Sequence, residues 1–391
     1  MKVVKRDGRE EDYDGVKVIK AAEAALIAAG YGEKSYPLAC AVGEQAYETL
    51  EKSEPPQEKV AVCDIHRIVE DSLMDLDLKN AARAYIEYRK TRDNVREGKG
   101  KLFADITGFL EQTADEFTKE NANKPSGVVS SHRDLLAGIL SKHVSLTQIL
   151  PKELAEWHTN GYGHIHDLDY LISPLTNCSL VNYRDMLENG FKIGNAKIEK
   201  PKSIGVACTI LSQISQSVSS VQYGGQSYTH IDEGLKQYAK ASYDKNLKFC
   251  QEQWLPDPEG VAMQMTEKDV YDAMQTLLYQ VNTLMSANGQ CPFITLSLGL
   301  DTSYFGRMIT KNYLLVHKNG LGKDKVTPVF PKVIFFLEDG VNMKPGDPNY
   351  DLKQLAMECC VERIYPDFIS VPLNKKVTGS SDGRVTSMGK L

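Results

Sequence analysis

An alternation of helical and short apolar segments in the second half of the chain limits the folds open to it. Stretches of helical spacing at about 203–220, 232–252 and 267–287 run among short apolar segments at 293–298 and 332–337. Apolar runs this short, set between helices, predict strands of a partly buried sheet, and hence an α/β arrangement. The preceding stretch, 102–160, reads as helical: Leu135, Leu136, Ile139 and Leu140 share one face, and Ile149-Leu150-Pro151 is a stop.

The first hundred residues differ in character. Met1 to Val4, the turn Lys5-Arg6-Asp7-Gly8 and a second extended stretch predict a small β-hairpin. An Ala-rich helix follows over Val16–Ala29, ending before Gly30, a residue suited to the left-handed position after a helix. Further helices are expected at 37–51, 64–75 and about 78–97, with Glu54-Pro55-Pro56 as a break. The charged stretch Asp93 to Lys101 has no apolar stripe and contains Gly98 and Gly100, which predicts a domain boundary near 98–102. A chain of 391 residues accommodates two or three domains, and with 42% hydrophobic and 25% charged residues it should fold.

Charge and hydropathy exclude several classes. Acidic residues outnumber basic ones, 52 to 46, for a net charge of −6, so no broad positive field attracts nucleic acid. No apolar run reaches the roughly 18 residues of a membrane span, and the polar N-terminus has no signal-peptide core, which predicts a cytoplasmic protein. The eight cysteines are scattered without a C-x-x-C pair or another zinc spacing, as expected of free and mostly buried thiols.

Two constellations carry chemistry. In the N-terminal hairpin, Lys5, Arg6 and Gly8 place cations beside a flexible turn, with Lys17 and Lys20 on the next helix. Such groups offer charge-assisted bonds to phosphate oxygens, although a Lys-Arg turn taken alone is usually a solvated surface hairpin. The second is Gly161-Tyr162-Gly163-His164-Ile165-His166-Asp167-Leu168-Asp169-Tyr170, followed by Asn177-Cys178-Ser179-Leu180. Histidines at i and i+2 would share one side of an extended strand. Metal ligands and histidines bonded to backbone in a glycine-rich loop both read this way, and no second cluster completes a coordination sphere, so no metal is assigned. Cys178 has the strongest context of the cysteines, between Asn177 and Ser179 and shortly after the histidine loop.

The hairpin with its Ala-rich helix and the closing segment Ala81-Ala82-Arg83-Ala84-Tyr85-Ile86-Glu87-Tyr88-Arg89-Lys90-Thr91-Arg92 resemble the ATP-cone, the allosteric nucleotide-binding module of ribonucleotide reductases. The resemblance implies ATP or dATP contacts at Lys5, Arg6, Gly8, Glu11 and Lys17, with Asp14 and His66 as weaker candidates. His66 reads equally as a half-buried helix residue. Downstream, the His-x-His-Asp-Leu-Asp-Tyr and Asn-Cys-Ser-Leu motifs, Gln222-Tyr223-Gly224-Gly225, Asn288 to Thr295, Pro345 to Leu352 and Arg363 to Asp367 resemble anaerobic, class III ribonucleoside-triphosphate reductases.

That resemblance implies an ATP-cone over 1–97, a helical linker and start of the catalytic body over 98–160, and the N-terminal part of a ten-stranded α/β barrel over 161–391. Cys178 would face the ribose from the first barrel strand, with Asn177, His164 and His166 near the substrate. The substrates would be ribonucleoside triphosphates, reduced for DNA synthesis with formate as the family's reductant. Deoxynucleotide effectors would bind near the 203–222 helix, where two subunits of a homodimer meet. A radical S-adenosylmethionine activase would be the partner.

The family's finger loop reads Val-Thr-Gly-Ser, a spacer, then Met-Gly-Cys-Arg-Ser. Here it reads Val377-Thr378-Gly379-Ser380 and then Met388-Gly389-Lys390-Leu391. Lys390 stands where the radical cysteine belongs, and the zinc module and glycyl-radical segment are absent from this sequence. The barrel is therefore expected to be incomplete and the chain inactive alone. It would need a separate C-terminal fragment, or else act as a non-catalytic ATP/dATP sensor. Cys359-Cys360 resembles the working pair of pyruvate formate-lyases, but helical spacing over Leu352–Arg363 predicts buried, inert thiols instead.

Overall fold

In the computed structural model the described residues are 1–5, 8–52, 58–113 and 126–384, with backbone alone for 94–99. The chain divides into two compact units, Met1–Ala104 and Asp105–Leu391.

In the first unit, strands β1 (Lys2–Val4) and β2 (Glu10–Asp12) pair antiparallel as the hairpin predicts. A third strand, β3 (Lys59–Ala61), joins parallel to β1 and gives the order β2-β1-β3. Helices Gly15–Ala28, Ser35–Glu51 and Val62–Asp75 pack beside it. Small residues make the packing close: Ala22, Ala39, Val42, Ala46, Ala81 and Ala82 are buried with Val3, Leu26, Val69, Leu73 and Tyr85. Helix Lys79–Leu110 continues past the end expected near 97, and the two compact units divide after Ala104. Two glycines cost a helix about 1 kcal/mol each, and the Lys, Arg and Glu residues around them are good helix formers.

The second unit is built on a sheet of five parallel strands in the order β10-β9-β8-β7-β4. These are β4 (Ser179–Leu180), β7 (Gln226–Tyr228), β8 (Ile294–Leu298), β9 (Lys332–Leu337) and β10 (Asp367–Ser370). Between β4 and β7 lie a short hairpin, β5 (Phe191–Ile193) with β6 (Ala196–Ile198), and the helix Ile204–Ser219. Helices Ile231–Glu252, Pro258–Thr283, Tyr304–Asn319 and Tyr350–Arg363 make the remaining crossovers. Among the described residues the sheet has two open edges, at β10 and β4. No described helix is long and apolar enough to cross a membrane.

The two faces of the sheet differ. Ile294, Leu296 and Leu298 of β8 and Val333 and Phe335 of β9 enter the main core with the helices. Ile334 and Phe336, on the alternate positions of β9, join a small cluster with Leu300 and Val371. The alternate residues of β8, Thr295 and Ser297, are buried polar groups, and Ser297 Oγ accepts from His230 N at 2.8 Å. Asp232, fully buried, ties the next helix to the end of β8 by accepting from Gly299 N at 2.8 Å and Asp301 N at 3.2 Å. Such bonds offset the cost of a buried carboxylate.

Among the described residues His317 is buried with no hydrogen-bond partner at either ring nitrogen, and burial, with Arg363 nearby, pushes its pKa down to about 4. The folded ring is therefore neutral, while the unfolded one protonates below its ordinary 6.5. Stability contributed by the neutral ring is complete above pH ~6.5 and is lost as pH falls toward ~4. Between pH 7 and 5 the wild-type second unit should lose about 2 kcal/mol more stability than His317→Gln, measured by urea unfolding. Equal losses in the two proteins would refute this.

Candidate functional site

Cys178 immediately precedes β4 and is held by a tight turn from another part of the chain. Tyr223 N donates to Thr176 O at 3.2 Å, Gly224 N to Asn177 O at 2.7 Å, and Ser179 N to Gly225 O at 3.0 Å. The thiol is oriented within this turn: Cys178 Sγ–H donates to Asn177 Oδ1 at 3.1 Å, and Gly225 N–H donates to Sγ at 3.3 Å. A Cβ on Gly224 would stand 2.7 Å from Sγ and would collide with the Asn177 carbonyl and carboxamide oxygens. Only glycine allows this approach. Gln222, buried, braces the turn by accepting from Ser179 Oγ at 2.9 Å and donating to Gly224 O at 3.1 Å.

Beside the turn lies a cavity of about 770 Å³ at the N-terminal ends of the strands, where Gly225 precedes β7, Phe293 precedes β8 and Lys332 opens β9. Its walls include His158, His164, His166, Lys142, Asp167 and Tyr223, together with Gly224 and Gly225. Cys178 and Asn177 stand behind the two glycines and are not among the residues that line the cavity.

His164 and His166 are exposed and lie in a loop, the glycine-rich alternative of the two readings, and not on an extended strand. The Gly161–Tyr162 turn and the left-handed Asp167, φ 59°, keep the segment out of a sheet. Their rings are 5.6 Å apart, and His164 is 5.3 Å from His158. His158, which sequence reading missed, lowers its own basicity through burial, with His164 and Lys142 adding repulsion; its Nδ1 accepts from Ile165 N at 3.0 Å. Among the described residues no group of three or more His, Cys, Asp or Glu converges as a metal ion requires.

In the first unit, Lys5 and Lys17 converge on one oxygen of Glu11, at 3.3 and 3.2 Å. The pair holds Glu11 below the usual carboxylate range, Lys17 more strongly than Lys5. Gly8, φ 81°, has open space where a side chain would be. Two ammonium groups already sharing an anionic oxygen beside an open turn suit a phosphate. Arg6 lies outside the described residues. Asp14 caps the first helix, accepting from Val16 N at 3.0 Å, and His66 Nδ1 pairs with the buried Tyr85 hydroxyl at 2.7 Å. Cys359 is buried within a helix, its thiol pushed up to about 12 chiefly by burial. Lys390 lies outside the described residues.

Comparison with known proteins follows the same division. The ATP cone domain family matches residues 1–94, and the family described as anaerobic ribonucleoside-triphosphate reductase matches 120–390. Reductases of that name from Haemophilus influenzae and Escherichia coli are each 44% identical over 97% of this chain, covering 53% and 52% of their own lengths. The one from Enterobacteria phage T4 is 48% identical over 71% of this chain and 46% of its own. The chain thus spans about half the length of the curated relatives it matches. With its cone, its Asn-Cys-Ser-Leu turn and its parallel sheet, the chain belongs to the anaerobic ribonucleoside-triphosphate reductase family.

Proposed function

We propose that this chain carries the nucleotide-sensing cone and the ribose-facing thiol of an anaerobic reductase that converts ribonucleoside triphosphates to deoxyribonucleotides. The observation that supports it most is the held thiol of Cys178, with a hydrogen directed at Asn177, behind a cavity that offers cations and histidines to a polyphosphate. Lys332 and Lys142 would take phosphate oxygens. The neutral His158 and the exposed His164 and His166 would bond to ribose or phosphate. Asn177 would keep the Cys178 hydrogen at Sγ until the sugar reaches it.

A thiyl radical supplies hydrogen abstraction at the ribose 3′ carbon, chemistry that no closed-shell side chain performs. In the family the cysteine for that role lies on the finger loop, at the position of Lys390 here. The reading therefore leaves that thiol, the glycyl radical and zinc to sequence outside these residues. Formate as reductant, a radical activase, a homodimer, a separate C-terminal fragment and a cytoplasmic location complete the proposal. The division into 1–97, 98–160 and 161–391 belongs to it as well. In the cone, Lys5 and Lys17 would exchange Glu11 for phosphate oxygens of ATP or dATP, with Arg6 joining from the turn. No feature of the site favours a purely sensory protein.

Two outcomes are expected. In isothermal titration of the full chain, replacing both Lys5 and Lys17 by alanine should weaken ATP binding by about tenfold or more, the scale of one lost charge-assisted bond. Affinity within about twofold of wild type would contradict the cone assignment. Separately, saturating ribonucleoside triphosphate should slow iodoacetamide labelling of Cys178 by about tenfold in wild type, and Gly224→Ala should abolish that protection. Equal labelling with and without nucleotide would overturn the substrate assignment.

A further inference from the structure

The histidine loop and the turn against Cys178 come from chain segments 56 residues apart, and the Tyr223 side chain joins them. Tyr223 OH donates to Asp167 Oδ2, and the Tyr223 ring stacks on Tyr170 with centroids 4.2 Å apart and planes 9° from parallel. On the loop side, Asp167 adopts a left-handed φ of 59°, a region most non-glycine residues avoid. It is held there by Tyr223 at one carboxylate oxygen and by Tyr170 N donating to its carbonyl at 3.0 Å. The loop is seated a second time through Leu168, whose carbonyl accepts from Ser141 Oγ at 3.1 Å and Ser145 Oγ at 3.2 Å. On the cysteine side, Tyr223 opens the three-residue run whose backbone amides bond to Thr176, Asn177 and the Cys178 sulfur.

We infer that Tyr223 is a positioning residue that, through its bond to Asp167, fixes the histidine loop against the turn that encloses the Cys178 thiol. The inference rests on the substrate-site reading above and adds to it the device that sets the spacing of its two halves. The phenol stays protonated well above the ordinary range, through burial first and then the Asp167 carboxylate, so it remains a donor across the working pH range. Without the bond, Asp167 has less to hold its left-handed conformation, and Gly224 and Gly225 are freer to lift from the sulfur.

The test is site-resolved iodoacetamide labelling of the full chain, read by peptide mass spectrometry without any nucleotide. Cys63, exposed, serves as reference, and the buried Cys208 and Cys359 report on the fold. Tyr223→Phe keeps the ring stack and removes the donor. Asp167→Ala removes the acceptor, whereas Asp167→Asn keeps both an acceptor oxygen and tolerance of the left-handed conformation. The inference expects Tyr223→Phe and Asp167→Ala each to speed Cys178 labelling about fivefold relative to Cys63, their double variant to be no faster than either alone, and Asp167→Asn to stay near wild type. It is overturned if Cys178 labelling is unchanged in the first two variants, or if Cys208 and Cys359 become reactive in parallel. Because no nucleotide is present, failure here is separate from failure of nucleotide to protect Cys178.

Discussion

Everything proposed for the site depends on one close approach, that of the Gly224 backbone to Asn177 and Cys178. Two chain segments that are far apart in sequence exchange backbone hydrogen bonds there, and the sulfur completes the pattern as an acceptor for Gly225 N–H. Any side chain at 224 would enter the space of the Asn177 oxygens and the thiol. The arrangement gives Cys178 a defined rotamer and a satisfied S–H in a partly buried setting. For the proposed role, preorganisation of this kind would remove the need to order the thiol after substrate arrives.

The sheet supports that approach through the unequal character of its two faces. On β8 the sequence Ile294-Thr295-Leu296-Ser297-Leu298 alternates apolar and polar residues, yet every one is buried. The apolar set packs on helices, while Ser297 receives the backbone of His230, just past β7. Asp232 then binds the loop after β8, so the ends of β7 and β8 are tied by buried polar groups. The cost of burying those groups is met by hydrogen bonds, which makes the register of the strands that frame the cavity specific.

Much of this was legible in the sequence. Helices Gly15–Ala28, Ser35–Glu51, Val62–Asp75, Ile204–Ser219 and Ile231–Glu252 and the strands expected at 293–298 and 332–337 fall where periodicity places them, because amphipathic helices and fully buried strands leave strong local patterns; Pro258–Thr283 begins well before the expected 267, and Tyr304–Asn319 was not expected. Strand β3 was not legible: three residues, Lys59-Val60-Ala61, become a strand only through pairing with β1. The helix through 98–102 overrode its two glycines, a balance of propensities that a composition shift does not show. At the site, the Asn-Cys-Ser-Leu turn and both histidines were found by motif. His158 was missed because its role comes from a bond to Ile165 across a turn, and the Asp167–Tyr223 pair because it joins residues related only by the tertiary fold.

The function proposed above requires the Cys178 sulfur to lie within bonding reach of the ribose 2′ position of a bound ribonucleoside triphosphate. A ribonucleoside triphosphate carrying a pyridyl disulfide at the 2′ position tests this directly, since a thiolate within reach displaces pyridinethione and leaves a mixed disulfide. The expected result is attachment of the nucleotide to Cys178 in preference to the exposed Cys63, with unmodified ribonucleoside triphosphate competing it away. Attachment that follows exposure alone, with Cys63 labelled first and no competition by nucleotide, would contradict it.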